Sequence, residues 1–483
     1  MTSYGWDSLV PPANERNIAL NTGKWGEYLI DASKIKIDIH TVSLGCPKNR
    51  IDTEAMMGQL AQKGYRFTND INSAGTVIVN TCGFLQEAVE EGLAEISALA
   101  MKKENLGFRL VVTGCLVQRM GRSLKKEIPE IDALVGVHGY INILAALEGG
   151  QKNSIPAKAC NYPAKFYQNR LVSTGPGWAY LRIADGCDNR CSYCLIPSLR
   201  GKFRSRPIPE IIREAKILVG RGVREINLIA QDTTAYGSDI YGRRSLPRLL
   251  KALARIEGLE WIRILYTHPA HIDDDLVDAV AREKKIVKYL DIPLQHVSDR
   301  LLAKMGRKVT KQKMVELLHK LRIKIPGIIL RTTFIVGFPG ETADDFSELH
   351  DFAGEMKLDR VGVFAYSHEP GTRSAKMTGQ VSEKIKSQRL DSLMRRQQKV
   401  SSAKNRARVG RTVLVICEGR AMKGDRNIPF KSGYQYFGRS YGEAPEIDGK
   451  IYIRSSRPLV PGRIYQAALE KAWAYDLGGV IVK

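Results

Sequence analysis

Cysteine is the residue type through which this sequence could do chemistry. The run Gly186-Cys187-Asp188-Asn189-Arg190-Cys191-Ser192-Tyr193-Cys194 sets three thiols at the spacing C-x-x-x-C-x-x-C. Thiolates so spaced can take three irons of a four-iron cluster and leave the fourth iron open to chelate a substrate. A structural zinc site is the competing reading, but zinc normally takes four protein ligands and no fourth Cys or His lies in this segment. Three more cysteines, Cys46, Cys82 and Cys115, are far apart in sequence yet sit in similar frames: Leu44-Gly45-Cys46-Pro47, Asn80-Thr81-Cys82-Gly83 and Thr113-Gly114-Cys115-Leu116. Singly, each reads as a small buried hydrophobe, the commonest fate of a free cysteine. Together they point to a second set of metal ligands. Cys160 and Cys417 have no such frame and read as spectators.

The elements that must position these thiols follow a β-α alternation. Strands are expected at 37–44, 76–79 and 109–113, with helices at 51–63 and 85–103, which implies a parallel sheet whose ligands bind at the carboxyl ends of the strands. Cys46, Cys82 and Cys115 each follow one of those strands. After a loop-rich stretch at 149–176 the alternation resumes, with strands at 179–183, 225–229, 262–266, 289–292, 330–336 and 360–366. Six such units suggest an open, partial barrel, with C-x-x-x-C-x-x-C directly after its first strand. Gly337-Phe338-Pro339-Gly340-Glu341 follows the fifth, where glycines would let the backbone approach a bound nucleoside. A basic helix is expected at 382–408. Short strands and glycine turns from 411 onward (412–417, 450–454, 480–482) fit a small five-stranded barrel of the kind that binds nucleic acid.

At 483 residues the chain has room for two to four domains. Its 43% hydrophobic and 26% charged residues exclude a disordered or fibrous protein. No segment is long and apolar enough to span a bilayer, and Asp7, Glu15 and Arg16 interrupt the N-terminus, so no membrane partner and a cytoplasmic location are expected. The formal net charge of +23 suits a polyanion such as RNA, or general solubility. Eight cysteines in a long cytosolic chain favour metal ligation or catalysis over a disulfide scaffold.

The cysteine spacing, its place after the first barrel strand and Tyr193 before the third cysteine resemble the radical S-adenosylmethionine superfamily. That resemblance implies a cofactor bound at the open iron, with Tyr193, Gly337, Gly340 and Glu341 as its neighbours. The three-part organisation over residues 37–483 is similar to the methylthiotransferases. This implies an α/β architecture of a parallel N-terminal domain (37–150) after an extension (1–36), a partial (βα)6 radical domain (173–400) and a TRAM-like five-stranded barrel (408–483). It also implies two [4Fe-4S] clusters, on Cys46, Cys82 and Cys115 and on Cys187, Cys191 and Cys194, with S-adenosylmethionine supplying both methyl group and radical.

Within the family, Ser43-Leu44-Gly45-Cys46-Pro47-Lys48-Asn49, Ile196-Pro197-Ser198-Leu199-Arg200-Gly201, Leu228-Ile229-Ala230-Gln231-Asp232-Thr233-Thr234-Ala235-Tyr236-Gly237 and Arg331-Thr332-Thr333-Phe334-Ile335-Val336-Gly337 resemble the branch that modifies small-subunit ribosomal protein twelve at the β-carbon of an aspartate. Arg50 departs from the aliphatic residue expected there. The partners so implied are that ribosomal protein, free or in the ribosomal particle, a contact with ribosomal RNA, and an electron donor such as flavodoxin or ferredoxin. For the RNA contact the expected surface is Lys384, Lys386, Arg389, Arg395, Arg396, Lys399, Lys404, Arg406 and Arg408. The alternative is the same chemistry on a modified adenosine of transfer RNA.

Overall fold

The computed structural model describes residues 37–150, 152–160, 162–421 and 433–482, so the extension read at 1–36 lies outside the described residues. The chain divides into two compact units. The first takes the chain up to Ser173 together with Ala184–Arg190 and Cys194–Ile217; the second takes the remainder.

The first unit is a parallel sheet of β1 (Asp38–Ser43), β2 (Arg66–Phe67), β3 (Thr76–Thr81), β4 (Arg109–Gly114), β5 (Ala133–Gly136) and β6 (Asn153–Ser154), in the order β2-β1-β3-β4-β5-β6. β3 is buried along its whole length, as expected of a parallel strand covered on both faces. Val77, Val79, Leu110 and Val112 pack on Ile96 and Leu99 of the helix α2 (Gln86–Leu106), which ends at Gly107 in the left-handed conformation. The helix α1 (Pro47–Ala61) starts directly after Cys46, with Pro47 in its first turn where a missing N–H costs nothing. It begins four residues earlier than its apolar pattern indicates, because its buried positions include the polar Asn49, Asp52, Thr53 and Glu54. Those residues meet polar partners rather than the apolar core, so no hydrophobic period marks them.

The second unit opens on β7 (Trp178–Arg182). The ribbon of β8 (Ala184–Asp185) and β9 (Arg204–Ser205) belongs to the first unit, and the barrel continues with β10 (Glu225–Ile229), β11 (Trp261–Ile264), β12 (Ile286–Asp291), β13 (Ile329–Val336) and β14 (Arg360–Ala365). These strands pair in the order β14-β13-β12-β11-β10-β7, every pair parallel. The helix Glu383–Arg406 covers the open β14 edge, with Gln397 Nε2 donating to Leu358 O at 3.0 Å and Arg360 Nη1 to Ser401 Oγ at 3.4 Å.

A closed five-stranded barrel follows, formed by β15 (Thr412–Arg420), β16 (Tyr434–Arg439), β17 (Ile451–Ser455), β18 (Ile464–Ala472) and β19 (Leu477–Ile481). Two of its strands escape a reading by alternation, for local reasons. β16 contains Gly438, where a Cβ would collide with the Ile416 carbonyl, and β18 shifts register between Leu469 and Lys471. The small barrel is bolted to the larger one by a buried ion cluster. Glu225 on β10 accepts from Arg263 Nε at 2.8 Å and from Arg439 Nη2 at 2.7 Å, and Arg439 Nε also reaches Glu418 at 2.7 Å. Among the described residues no helix is long and apolar enough to cross a membrane.

Candidate cluster-binding sites

In the first unit the three distant cysteines come together at the carboxyl ends of neighbouring strands. Cys46 caps α1, Cys82 follows β3, and Cys115 begins the short helix after β4. Gly45 (φ +87°) makes the approach possible: a Cβ there would lie 2.7 Å from Cys82 Cβ and 3.3 Å from its sulfur. Two asparagines lock the strand ends. Asn49 Nδ2 donates to Leu44 O at 3.3 Å and Thr81 O at 3.0 Å, while Asn80 Nδ2 donates to Asn49 O and Thr53 Oγ1, both at 2.8 Å.

Burial, reinforced by the neighbouring Cys46 and Cys115, pushes the Cys82 thiol up to about 12. Burial likewise raises Cys115, against the pull of the Arg200 guanidinium. Thiols held this close, Cys115 buried and Cys46 and Cys82 half-buried, ionise together only beside a compensating cation, which is what an iron–sulfur cluster provides. Among the described residues no three His, Cys, Asp or Glu side chains are grouped to hold a single metal ion. A cluster asks something different, since each thiolate takes its own iron.

The C-x-x-x-C-x-x-C loop is anchored on its first-unit side by Cys187 N donating to Gly201 O at 3.1 Å and Phe203 N donating to Asp188 Oδ1 at 3.1 Å. Ile196 N points at Cys194 Sγ from 3.4 Å. On the second-unit side Ser192 N donates to Met305 O and Ser374 N to Ser192 O, both at 2.9 Å. The Arg307 guanidinium stands 3.9 Å from Cys191 Sγ and donates to Pro293 O at 2.6 Å, so a fixed positive charge faces that sulfur. Tyr193 packs against a small apolar cluster of Leu301, Met305, Phe338 and Tyr366.

The turn after β13 is held by its own glutamate. Glu341 accepts from Gly337 N and, at 3.0 Å, from Phe338 N, and it pairs with Arg389 at 3.1 Å. Burial nonetheless pushes its carboxyl up to about 7. The close approach that Gly337 (φ +73°) permits is made by Lys386, whose Cγ a Cβ would strike. Tyr193 and the Gly337–Glu341 turn thus share one corner of the second unit through Phe338.

A polar group at the ends of β10 and β11 went unread in the sequence. Asp232 accepts from Thr234 Oγ1 at 2.6 Å and lies 2.8 Å from His271 Nδ1, whose ring stacks on His268 with centroids 4.5 Å apart. Burial would raise the Asp232 carboxyl, yet the His271 contact holds it at about 2, and burial depresses His268 to about 3. The available signal was His268-Pro269-Ala270-His271 falling at a strand end, the same kind of place as the cysteines.

The basic helix is less free than its charge suggests. Lys386 is buried and pairs with Glu383, Arg389 with Glu341, Arg396 with Asp351, Lys404 with Asp359, and Arg408 with Glu443. Lys386, Arg389, Lys404 and Arg408, read as facing RNA phosphates, are committed within the unit instead, whereas the Arg396 pair, at 3.9 Å to an exposed Asp351, is too loose to commit it. Lys384, Arg395, Lys399 and Arg406 remain exposed. Of the two cysteines that the sequence reading leaves outside both groups, Cys417 fills the core of the small barrel and Cys160 is exposed, with its sulfur 3.5 Å from His138 O.

Three family models match the chain in succession: Uncharacterized protein family UPF0004 over residues 38–136, the Radical SAM superfamily over 181–353 and the TRAM domain over 409–482. A ribosomal protein uS12 methylthiotransferase RimO from Pelotomaculum thermopropionicum is 47% identical over 451 residues, covering 92% of this chain and 99% of the relative. The chain belongs to the uS12 methylthiotransferase family. Relatives of the same name from Clostridium botulinum (45% identity, 92% of this chain, 98% of theirs) and Acetivibrio thermocellus (42%, 93% and 99%) agree with that placement. The fold is shared with a solved radical S-adenosylmethionine methyltransferase, TsrM from Kitasatospora setae, at a TM-score of 0.53 and 14% identity, covering 71% of this chain and 77% of that one.

A uS12 methylthiotransferase is a radical enzyme, and S-adenosylmethionine and [4Fe-4S] clusters are its cofactors. For that cofactor set the first unit offers three thiols at the carboxyl ends of neighbouring parallel strands, and the C-x-x-x-C-x-x-C run offers three more at a cluster-binding spacing in the sequence that follows β7. Family membership also disfavours the alternative of a modified adenosine in transfer RNA.

Proposed function

We propose that this chain methylthiolates the β-carbon of an aspartate in ribosomal protein uS12, with Cys187, Cys191 and Cys194 holding the radical-generating cluster and Cys46, Cys82 and Cys115 the cluster that delivers sulfur. The observation that carries the reading is near-full-length similarity to uS12 methylthiotransferases combined with the convergence of the three N-terminal thiols. When bound, the clusters and S-adenosylmethionine supply the radical that takes hydrogen from an unactivated C–H bond, the sulfur, and the methyl group. The chain's own residues position and insulate. Arg307 offsets the thiolate charge at Cys191, while Phe338, Tyr366 and Tyr193 form an apolar wall that excludes water. Tyr193, Gly337, Gly340 and Glu341 are assigned to the S-adenosylmethionine side, where the Glu341 carboxylate acts by shaping the turn.

The two roles separate by mutation. Cys191→Ala abolishes reductive cleavage of S-adenosylmethionine, whereas Cys82→Ala still releases deoxyadenosine but leaves uS12 unmodified by mass spectrometry. Loss of cleavage in both folded variants refutes the division. The enzyme meets uS12 in the cytoplasm within an assembling or assembled subunit, with ribosomal RNA against Lys384, Arg395, Lys399 and Arg406, and takes electrons from a flavodoxin or ferredoxin. Such docking weakens steeply with salt, since each phosphate neutralised releases counterions; on duplex DNA the logarithmic slope is about 0.9 per phosphate.

A further inference from the structure

Arg200 ends the short helix Ile196–Arg200, and its side chain is only 2% exposed. A guanidinium buried so deeply is costly unless its donors are met. Every partner lies in the first unit. Nη2 donates to Asn49 Oδ1 at 2.8 Å and Asp52 Oδ2 at 2.9 Å, Nη1 donates to Asp185 Oδ1 at 3.2 Å, and Nη2 also stands 3.6 Å from Cys115 Sγ. The Asn49 amide has no choice of orientation, because its Nδ2 is spent on the Leu44 and Thr81 carbonyls and its oxygen must therefore face Arg200. Two carboxylates and an amide oxygen would suffice for a purely structural arginine. Both Nη2 hydrogens go to oxygens, and the remaining neighbour of that nitrogen is a sulfur at the end of β4, close enough to feel its charge.

We propose that Arg200 is a positioning residue of the first-unit iron–sulfur centre, setting its charge 3.6 Å from Cys115 Sγ and holding that centre at a higher reduction potential than the thiolates alone would set. The inference rests on Cys115 being a cluster ligand. Reduction adds negative charge to a cluster, so a cation held beside a ligand sulfur stabilises the reduced form more than the oxidised one. Asp52 and Asp185 oppose that effect by neutralising part of the guanidinium charge. Arg200 is thereby a tunable cation rather than a fixed one, and the sign of each substitution follows.

The test uses the full-length chain, reconstituted anaerobically, with Cys187, Cys191 and Cys194 all changed to Ala so that only the first-unit centre remains. Iron content and an EPR-monitored redox titration are the readouts. Arg200→Gln lowers the midpoint potential, Arg200→Lys falls between it and the parent, and Asp185→Asn raises the midpoint. An Arg200→Gln protein with full iron and the parent's midpoint overturns the proposal. If Arg200→Gln fails to load iron, Asp185→Asn decides, and an unchanged or lowered midpoint overturns it. Cys115→Ala in the same background loses the centre's iron; retained iron overturns the ligand assignment itself, which distinguishes that failure from a failure of Arg200's role.

Discussion

Arg170→Met tests how firmly the first cysteine's helix is held. Arg170 is 1% exposed and joins Glu54 of α1 to Glu214, to which its Nε donates at 2.8 Å. Glu54 also accepts from Ser173 N at 2.7 Å and Ser173 Oγ at 2.8 Å, and Glu214 pairs with Arg206 at 2.7 Å. Removing one member of a buried ionic group costs about 3–5 kcal/mol because its partners stay buried without it. Here the remaining donors hold the loss near the lower end, about 3 kcal/mol. For a unit of this size that is a fall in Tm of roughly 6–12 °C. Anaerobic urea unfolding followed by circular dichroism measures it. Glu54→Gln is the companion variant, and the double variant loses less than the sum of the singles because the interaction is removed only once. Iron bound to the N-terminal cysteines falls before that of the C-x-x-x-C-x-x-C loop, since Glu54 lies two turns into the helix that Cys46 caps. A single-variant loss under about 1 kcal/mol, or strict additivity, refutes the reasoning.

Two further outcomes follow from the same geometry. Burial alone would raise the Glu443 carboxyl, but Arg408 and Arg360 hold it at about 2. Its stabilisation is therefore complete above the ordinary glutamate pKa of about 4.3 and is lost as pH falls from there through about 2. The stability gap between parent and Glu443→Gln, read from urea midpoints, narrows over that window, and a gap independent of pH contradicts the assignment. Gly45→Ala puts a Cβ 2.7 Å from Cys82 Cβ at φ +87°. The strain costs about 1–3 kcal/mol and the first-unit centre loads poorly while deoxyadenosine formation persists; normal iron content shows that the cysteines need no such close approach.

The sequence spoke most clearly where one residue type had one use. C-x-x-x-C-x-x-C is specific because few chemistries want three thiols at that spacing, and the three N-terminal frames were legible because parallel strands end at a common edge. What stayed hidden was polar and non-local. Arg200, Asn49 and Asp52 meet across 151 and 148 residues of sequence, and nothing in the local pattern of any of them forecasts the meeting. The basic helix was only half legible, for the converse reason. A run of Lys and Arg looks alike whether its partners are phosphates or the carboxylates of Glu341, Asp359 and Glu443. Gly337 reads as a place of close approach, and the fold adds what the sequence does not say, that Lys386 packs on the side where a Cβ would stand.

The bolt between the two barrels of the second unit bears on how the C-terminal region can be studied. Arg439 and Glu225 belong to different barrels, yet against the effect of burial their mutual charge, with that of Arg263 and Glu418, leaves Glu225 below and Arg439 above their ordinary pKa values. Gly177, just ahead of β7, also lies against the backbone of Gly462. Cutting the chain after the basic helix would strip Glu225 of one of its two guanidinium partners inside the core of the catalytic barrel and remove the carboxylate that Arg360 pairs with. A truncated enzyme that fails would thus report a wounded interior rather than a lost docking surface. Questions about what the small barrel recognises belong to point changes on its outer face, made in a chain that keeps its last strand.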